Sequence, residues 1–142
     1  MNDMHNCTRA KTVVIPAAIG ANATKTGLVV DRQGFGGVEF IVAYGSVTTT
    51  GTVVAVVVKE GDVTGTMTSV ADSNLLGTEA LAGLAAGARV AGTGKEVVKR
   101  VGYVGTKRYV SANTVSTGVT SVGTIGVVAL LHSAYNEPTA NP

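Results

Sequence analysis

The sequence predicts an all-β protein with one antiparallel β-sandwich domain, and three observations support this fold class. The chain has 142 residues, a length that fits one domain with one hydrophobic core. Its 19 glycines would each cost about 1 kcal/mol inside a helix, whereas turns between strands use glycine readily. Segments rich in valine and threonine alternate with clusters of Gly, Asp, Asn and Ser, as expected for strands separated by turns.

The strand-forming segments can be placed in chain order by their β-branched and aromatic residues. We expect strands at residues 12–15, 27–31, 38–44, 52–59, 96–104, 109–115 and 123–132. Turn-rich connections separate most of these strands, at residues 31–37, 45–51, 60–66 and 116–123. The connections have the length that joins antiparallel strands.

Residues 78–91 allow two interpretations. Leu81 and Leu84 have the spacing of one helix face, whereas Gly83 and Gly87 weaken a helix. We therefore expect either a short helix or a long loop in this segment.

The strand predicted at residues 52–59 is apolar on both faces. Val54, Val56 and Val58 project to one side, and the residues between them, two valines and an alanine, project to the other side. The strand predicted at residues 123–132 has the same pattern. Because both faces of such strands need cover, we expect the outer face to pack against a further copy of the chain, in a homodimer or homotrimer.

The two chain ends are predicted to lie outside the sandwich. Residues 1–11 are polar and irregular, which predicts a flexible N-terminal arm that orders only on contact with a partner. Residues 133–142 have the same character and predict a short C-terminal tail. The sandwich is then expected to span residues 12–132.

The composition limits the function classes that fit the chain. Formal net charge is +2, too small for a general electrostatic attraction to nucleic acid. No segment approaches the roughly 18 consecutive apolar residues of a transmembrane helix, so we expect no membrane partner. Cys7 is the one cysteine, which excludes an intramolecular disulfide and a multi-cysteine zinc site.

The sequence has no motif that predicts catalysis, a cofactor or a metal ion. Catalysis needs groups of matched protonation held within hydrogen-bond reach of each other. His5 and Cys7 lie in the predicted flexible arm, and His132 ends the last predicted strand, so no second group is placed beside them. The acidic residues lack the regular spacing of a calcium loop. We therefore expect a protein that is not an enzyme and holds no cofactor.

Residues 99–110, KRVGYVGTKRYV, are the most informative segment of the chain. Their pattern predicts a strand, a tight glycine connection and a second strand adjacent to the first. Basic residues then bracket the connection, where they form either solvated strand ends or a contact surface for an acidic partner. Together with two tyrosines and two basic residues of the arm, they give the candidate contact residues Arg9, Lys11, Lys99, Arg100, Tyr103, Lys107, Arg108 and Tyr109.

The same segment resembles a pattern that is common in small virion proteins of tailed bacteriophages. The resemblance continues in VDRQGFGGVEFIVAYGSVT at residues 30–48, VADSNLLGTEA at residues 70–80 and GTIGVVALLHSAYNEP at residues 123–138. These stretches resemble the capsid cement, or head decoration, proteins, which bind outside the shell of the major capsid protein. The similarity spans most of the chain from about Val29 onward.

The resemblance implies a jelly-roll β-sandwich that associates with itself and bridges neighbouring capsomers without a catalytic site. The implied partners are the major capsid protein and other copies of the chain, with no direct contact to nucleic acid or membrane. The implied location is the capsid surface of the virion, after synthesis in the host cytoplasm. The sequence departs from the family's pattern at residues 111–114, Ser-Ala-Asn-Thr, where we expect a shorter or more exposed strand.

A carbohydrate-binding jelly-roll module on the virion surface is the alternative function, and an enzyme ranks third. Sugar-binding sandwiches typically stack aromatic rings on the sugar face. The chain has no tryptophan and four tyrosines, which makes this alternative weaker than a structural virion protein.

Overall fold

Two antiparallel five-stranded sheets face each other in the computed structural model, which describes residues 3–87, 95–120 and 123–136. The elements in chain order are helix α1 (Met4–Cys7), strands β1 (Arg9–Ala18), β2 (Thr24–Lys25), β3 (Val30–Asp31), β4 (Phe35–Tyr44), β5 (Val53–Val63) and β6 (Thr66–Ser69), a 3₁₀ turn (Asp72–Asn74), strand β7 (Leu75–Leu76), helix α2 (Glu79–Ala82), and strands β8 (Val98–Tyr103), β9 (Tyr109–Thr117) and β10 (Thr124–Ala134). The predicted all-β sandwich is confirmed.

The front sheet has the strand order β1-β10-β4-β8-β7, and the back sheet has the order β2-β9-β5-β6, with β3 also paired to β9. The pairs are nested along the chain. β1 pairs with β10, β2 and β3 pair with β9, β4 pairs with β8, and β5 pairs with β6. The chain therefore folds back on itself as one long two-stranded ribbon that wraps around a single core, which is the jelly-roll arrangement.

The core lies between the inner faces of the two sheets. At residues 38–44 of β4, 54–58 of β5 and 125–131 of β10, alternate residues point inward and are buried, as the alternation of side chains along a strand requires. Phe40 and Tyr103 are the largest of the fully buried side chains in the described residues. The outer face of β10 is different, because Val128 there keeps 38% of its surface exposed. The chain itself thus covers one face of this strand, and cover of the other face by a second copy stays a prediction.

The prediction of a flexible arm at residues 1–11 is wrong for residues 9–11. β1 begins at Arg9, and Arg9 and Lys11 pair with Leu131 and Ala129 of β10. Backbone pairing at a sheet edge needs no apolar side chains, so the polar character of this segment hid the strand. The preceding α1 is capped by the Asp3 carboxylate, which accepts hydrogen bonds from the backbone N–H groups of the next turn.

Two expectations about the back sheet are also wrong. Of the strand expected at residues 27–31, only β3 at its C-terminal end is formed, and another short strand, β2, precedes the expected range. Residues 111–114 do not form a shorter or exposed strand, because β9 continues to Thr117 and both Ser111 and Thr114 are buried. The Ser111 hydroxyl donates a hydrogen bond to the Gly27 carbonyl at 3.0 Å, and this partner allows a polar side chain to be buried.

The segment at residues 78–91 begins with a short helix, α2, and its last four residues lie outside the described part of the chain. The Glu79 carboxylate accepts a hydrogen bond from the Val58 N–H at 2.5 Å, and Leu84 exchanges two backbone hydrogen bonds with Val54. α2 and the residues after it therefore cover part of the free edge of β5. At the C-terminal end, β10 extends through Ala134 into the expected tail, and residues 137–142 are not described.

We expect Phe40→Ala to lower the free energy of unfolding by about 3 to 5 kcal/mol, because it leaves a cavity where a fully buried ring packed. The control is Val63→Ala in the exposed end of β5, where a surface change is worth about 0.5 kcal/mol or less. Denaturant unfolding of both variants at one protein concentration measures the difference. Equal losses for the two variants would contradict the position of the core.

Candidate interaction surface

The two strands of the KRVGYVGTKRYV segment are not neighbours. β8 lies in the front sheet beside β4, and β9 lies in the back sheet beside β5. The prediction of adjacent strands is wrong, and the connection from Val104 to Arg108 instead crosses from one sheet to the other. The four basic residues therefore do not flank the end of a hairpin.

Arg32 holds this crossing connection in place. From the turn between β3 and β4, its guanidinium donates hydrogen bonds to the carbonyls of Lys107 at 2.5 Å and Gly105 at 2.6 Å. It also donates to the carbonyls of Phe35 at 3.1 Å and Gly36 at 3.3 Å. One side chain thus joins the connection to the start of β4. Sequence analysis missed Arg32, since all of its acceptors are main-chain carbonyls that no motif identifies.

Tyr103 is a core residue, and this corrects its place among the candidate contact residues. Its side chain is fully buried, and the Arg32 guanidinium lies 5.4 Å from the ring centroid. Its hydroxyl donates to the Glu60 carboxylate and accepts from the Lys107 N–H at 3.1 Å. Burial, together with the hydrogen bond to Glu60, raises the pKa of Tyr103 to about 12. Gly105 is needed beside it, because a Cβ there would overlap the tyrosine ring.

Lys107 and Arg108 are paired with carboxylates of the same chain. Lys107 Nζ lies 2.5 Å from Asp62 Oδ2, and this partner raises the pKa of the Lys107 ammonium. Arg108 binds both carboxylate oxygens of Asp31 through Nε and Nη2, and it also lies over the ring of Tyr109. The hydrogen bonds from Arg108 lower the pKa of Asp31. These two cations are balanced within the chain and do not form an open basic patch.

The remaining basic candidates lie on other parts of the surface. Lys99 pairs with Val42 on the inner side of β8, and its Nζ donates to the Gly83 carbonyl at 2.8 Å. Arg100 projects to the outer side of the same strand, where its Nε lies 3.6 Å from Glu39 Oε1. Arg9 and Lys11 are on β1, at the other edge of the front sheet. The structure therefore does not bring the eight candidate residues into one surface.

The outer side of the front sheet carries a group of apolar side chains, which we call the Val128 face. Its members come from β1, β10, β4, β8 and β7, and the strand register places them in neighbouring rows. They are Ala10, Ile41, Ala43, Leu76, Val98, Val128 and Leu130. Val98 is 66% exposed and Leu76 is 56% exposed, so the described residues leave most of both side chains uncovered.

One ion pair crosses the Val128 face. The Glu39 side chain lies across Gly102, and a Cβ at position 102 would meet the Glu39 carboxylate. This carboxylate reaches Arg100 on the neighbouring strand. The two charges cancel, so the apolar face carries no net charge from this pair. α1 contacts β10 near one end of the face. A flat apolar surface with internally balanced charge suits contact with another protein surface.

Two kinds of feature are absent from the described residues. Within residues 3–87, 95–120 and 123–136, no group of three or more His, Cys, Asp or Glu side chains could hold a metal ion. No helix in this part of the chain is both long and apolar enough to cross a bilayer. Comparison of the sequence with models of known protein families and with curated proteins finds no match.

We expect Arg32→Met to lower the free energy of unfolding by about 2 to 3 kcal/mol, because four carbonyls lose a charged donor. Arg108→Met is the matched control, and loss of its exposed ion pair should cost less than about 1 kcal/mol. Denaturant unfolding measures both values, and amide exchange should accelerate at residues 104–108 in the Arg32 variant alone. Similar losses in the two variants would refute the role given to Arg32.

Tyr103 should make the protein sensitive to alkaline pH. Its pKa is raised in the fold, so the stability contributed by the neutral phenol is complete below the ordinary value of 10.0 and is lost as the pH rises toward about 12. The difference in phenolate absorbance between the wild type and Tyr103→Phe gives the titration of this residue. A midpoint at the ordinary value would contradict the buried hydrogen bond to Glu60.

Proposed function

We propose that the protein is a non-enzymatic structural virion protein that binds the outside of a phage capsid and stabilises it by bridging major capsid protein subunits. The Val128 face is the observation that carries this proposal, because exposed apolar side chains around one internally paired charge suit repeated contacts between protein subunits. The resemblance of four separate stretches to capsid cement proteins supports the same function, as does the jelly-roll fold.

The Val128 face serves self-association in this proposal, as a homodimer or homotrimer. Two copies that bury Val98 and Val128 against each other remove apolar surface from water on both sides of the contact. An oligomer then presents several identical capsid-binding sites at fixed spacing. Linked sites bind a lattice more tightly than one site does, so each contact with the capsid can be weak.

We do not place the main capsid contact at the paired cations Lys107 and Arg108. Lys107 and Arg108 already bind Asp62 and Asp31, and a capsid carboxylate would have to compete with these partners. Surface ion pairs of this kind contribute about 1 kcal/mol or less, so exchange of one partner for another gains little. The contact is better placed on surfaces whose groups are not already satisfied within the chain.

The test mixes the purified protein with undecorated shells of the major capsid protein of its own phage. We expect co-sedimentation that saturates at a fixed number of copies per capsomer. The number at saturation also reports the oligomer and the symmetry axis that it occupies. Protein that stays in the supernatant at all concentrations would refute the cement function.

Val128→Asp should weaken self-association by at least about tenfold, since it places a charge in the centre of the apolar contact. Val63→Asp is the control, because it adds the same charge to an exposed valine at the far end of β5. Sedimentation velocity over a range of concentrations measures both variants. Unchanged association of Val128→Asp would move the oligomer contact to another surface.

A carbohydrate-binding module on the virion surface is the second candidate, and one feature favours it. Tyr135 is 73% exposed and lines a hollow of about 230 Å³ together with Arg32, Gln33 and Arg108. An exposed ring beside polar groups can stack on a sugar. A glycan array separates the candidates, since binding that Tyr135→Ala abolishes would support this module and no binding would leave the structural role.

A further inference from the structure

β1 is an edge strand, and part of its backbone is turned to an open side. In β10, the Thr124 carbonyl accepts from the Gly45 N–H at 2.9 Å on the side of β4. The N–H and C=O groups of successive residues point to opposite sides of a strand. Ala129 and Leu131 are each an odd number of residues from Thr124, so their backbone groups point away from β4 and bond to β1. The β1 residues opposite them are Lys11 and Arg9. It follows that Ala10 and Thr12, which lie next to these residues, direct their N–H and C=O groups to the open edge.

A groove of about 600 Å³ runs beside this edge. Its lining residues come from β1 on one side and from the segment around β3 on the other, and they include Lys11, Leu28, Val29 and Gln33. Leu28 is 54% exposed and Val29 is 40% exposed, so the far wall offers two apolar side chains beside the polar Asp31 and Gln33. The hydrogen bond from the Leu28 N–H to the Val13 carbonyl, at 2.7 Å, closes one end. The groove therefore places backbone groups of β1 opposite a wall of mixed character with two exposed apolar side chains.

The charge of the groove favours an acidic occupant. Lys11 is exposed at the groove and supplies its positive charge, whereas Arg9, also in the lining, lies over the Phe35 ring at 5.9 Å from the ring centroid. Asp31, the acidic residue of the lining, is held by Arg108 in a two-oxygen contact. A carboxylate that enters the groove thus meets positive charge, because Arg108 already balances the negative charge of Asp31.

The two halves of β1 differ in how well they could accept another strand. Edge strands are usually protected by bulges, proline or charged side chains. The register of β1 shifts between Thr12 and Val14 and again between Val14 and Ala17, and Pro16 lies in the second interval. From Arg9 to Thr12 the register is regular. The second half is therefore blocked, whereas the first half offers about four residues, or roughly 13 Å, of regular edge.

We propose that this groove binds an extended acidic segment of the major capsid protein, which adds a short strand to β1 at Ala10 and Thr12. The backbone groups of these two residues supply main-chain hydrogen bonds, Leu28 and Val29 contact the apolar side chains of the segment, and Lys11 binds its carboxylates. The inference rests on the proposed capsid function and identifies the part of the protein that contacts the capsid.

The test compares the binding of variants to undecorated shells of the major capsid protein. Thr12→Pro removes the N–H that faces the open edge and puts the proline ring in its place, so we expect affinity for the shells to fall at least about tenfold. Thr12→Ala keeps the N–H and is the matched control, with affinity within about twofold of the wild type. Lys11→Glu should weaken binding similarly, and more so at low salt than at high salt.

A readout at the backbone keeps the proposal testable if Thr12→Pro fails to fold. Hydrogen exchange at Ala10 and Thr12 should slow when the wild-type protein binds shells, because both N–H groups gain acceptors. Wild-type binding without this protection, together with full binding of Lys11→Glu, would refute the groove and leave the cement function intact. Protection in the free protein that depends on its concentration would instead assign the groove to a second copy. Absence of wild-type binding would refute the cement function itself.

Discussion

The pairing of strands that are distant in the sequence is the constraint on which the rest of this structure depends. β1 and β10 lie near opposite ends of the chain, yet they pair side by side, and the other pairs are nested inside this one. Val127 of β10 stands between Val14 of β1 and Val42 of β4, and all three side chains are buried. A slip of one residue in either pairing would turn the buried valines outward. The register of the outermost pair thus fixes which residues form the core and which form the Val128 face.

Local patterns were sufficient to predict most strands, because side-chain alternation and glycine-rich turns are properties of short segments. The sandwich and the strand at residues 123–132, with apolar residues on both faces, were predicted on this basis. The partner of each strand could not be predicted in the same way. In the sequence, the crossing at residues 104–108 looks like a hairpin turn. Whether a strand pairs with its neighbour or with a distant strand depends here on contacts of Arg32 and Glu60, which lie far away in the chain. The burial of polar residues within a predicted strand was missed for a similar reason, as at Ser111, whose hydroxyl bonds to Gly27.

The apolar outer side of β10 agrees with the alternation read from the sequence, whereas the predicted basic contact residues do not lie together. A lysine or arginine in a sequence is a formal charge, and its field depends on the carboxylates that the fold places beside it. Asp31, Asp62 and Glu39 come from three other strands, and each one binds a basic residue that the sequence suggested as free for a partner. Valine side chains form no ion pair when the chain folds. Where valines occupy both faces of one strand, the opposite sheet covers one face, and the valines of the other face stay on the outer surface.

The Val128 face and the β1 edge belong to the same sheet but point in different directions, and this has a consequence for assembly. Side chains of Ala10 and Thr12 lie on the outer side of the sheet, whereas their backbone groups lie in its plane. A copy that packs on the face therefore does not occupy the edge, so both contacts can form together. In the assembly that we propose, self-association through the face would fix the distance between the edges of neighbouring copies. Such an oligomer would match only a lattice whose subunits present their binding segments at that distance, and this geometry would select a capsid without a tight individual contact.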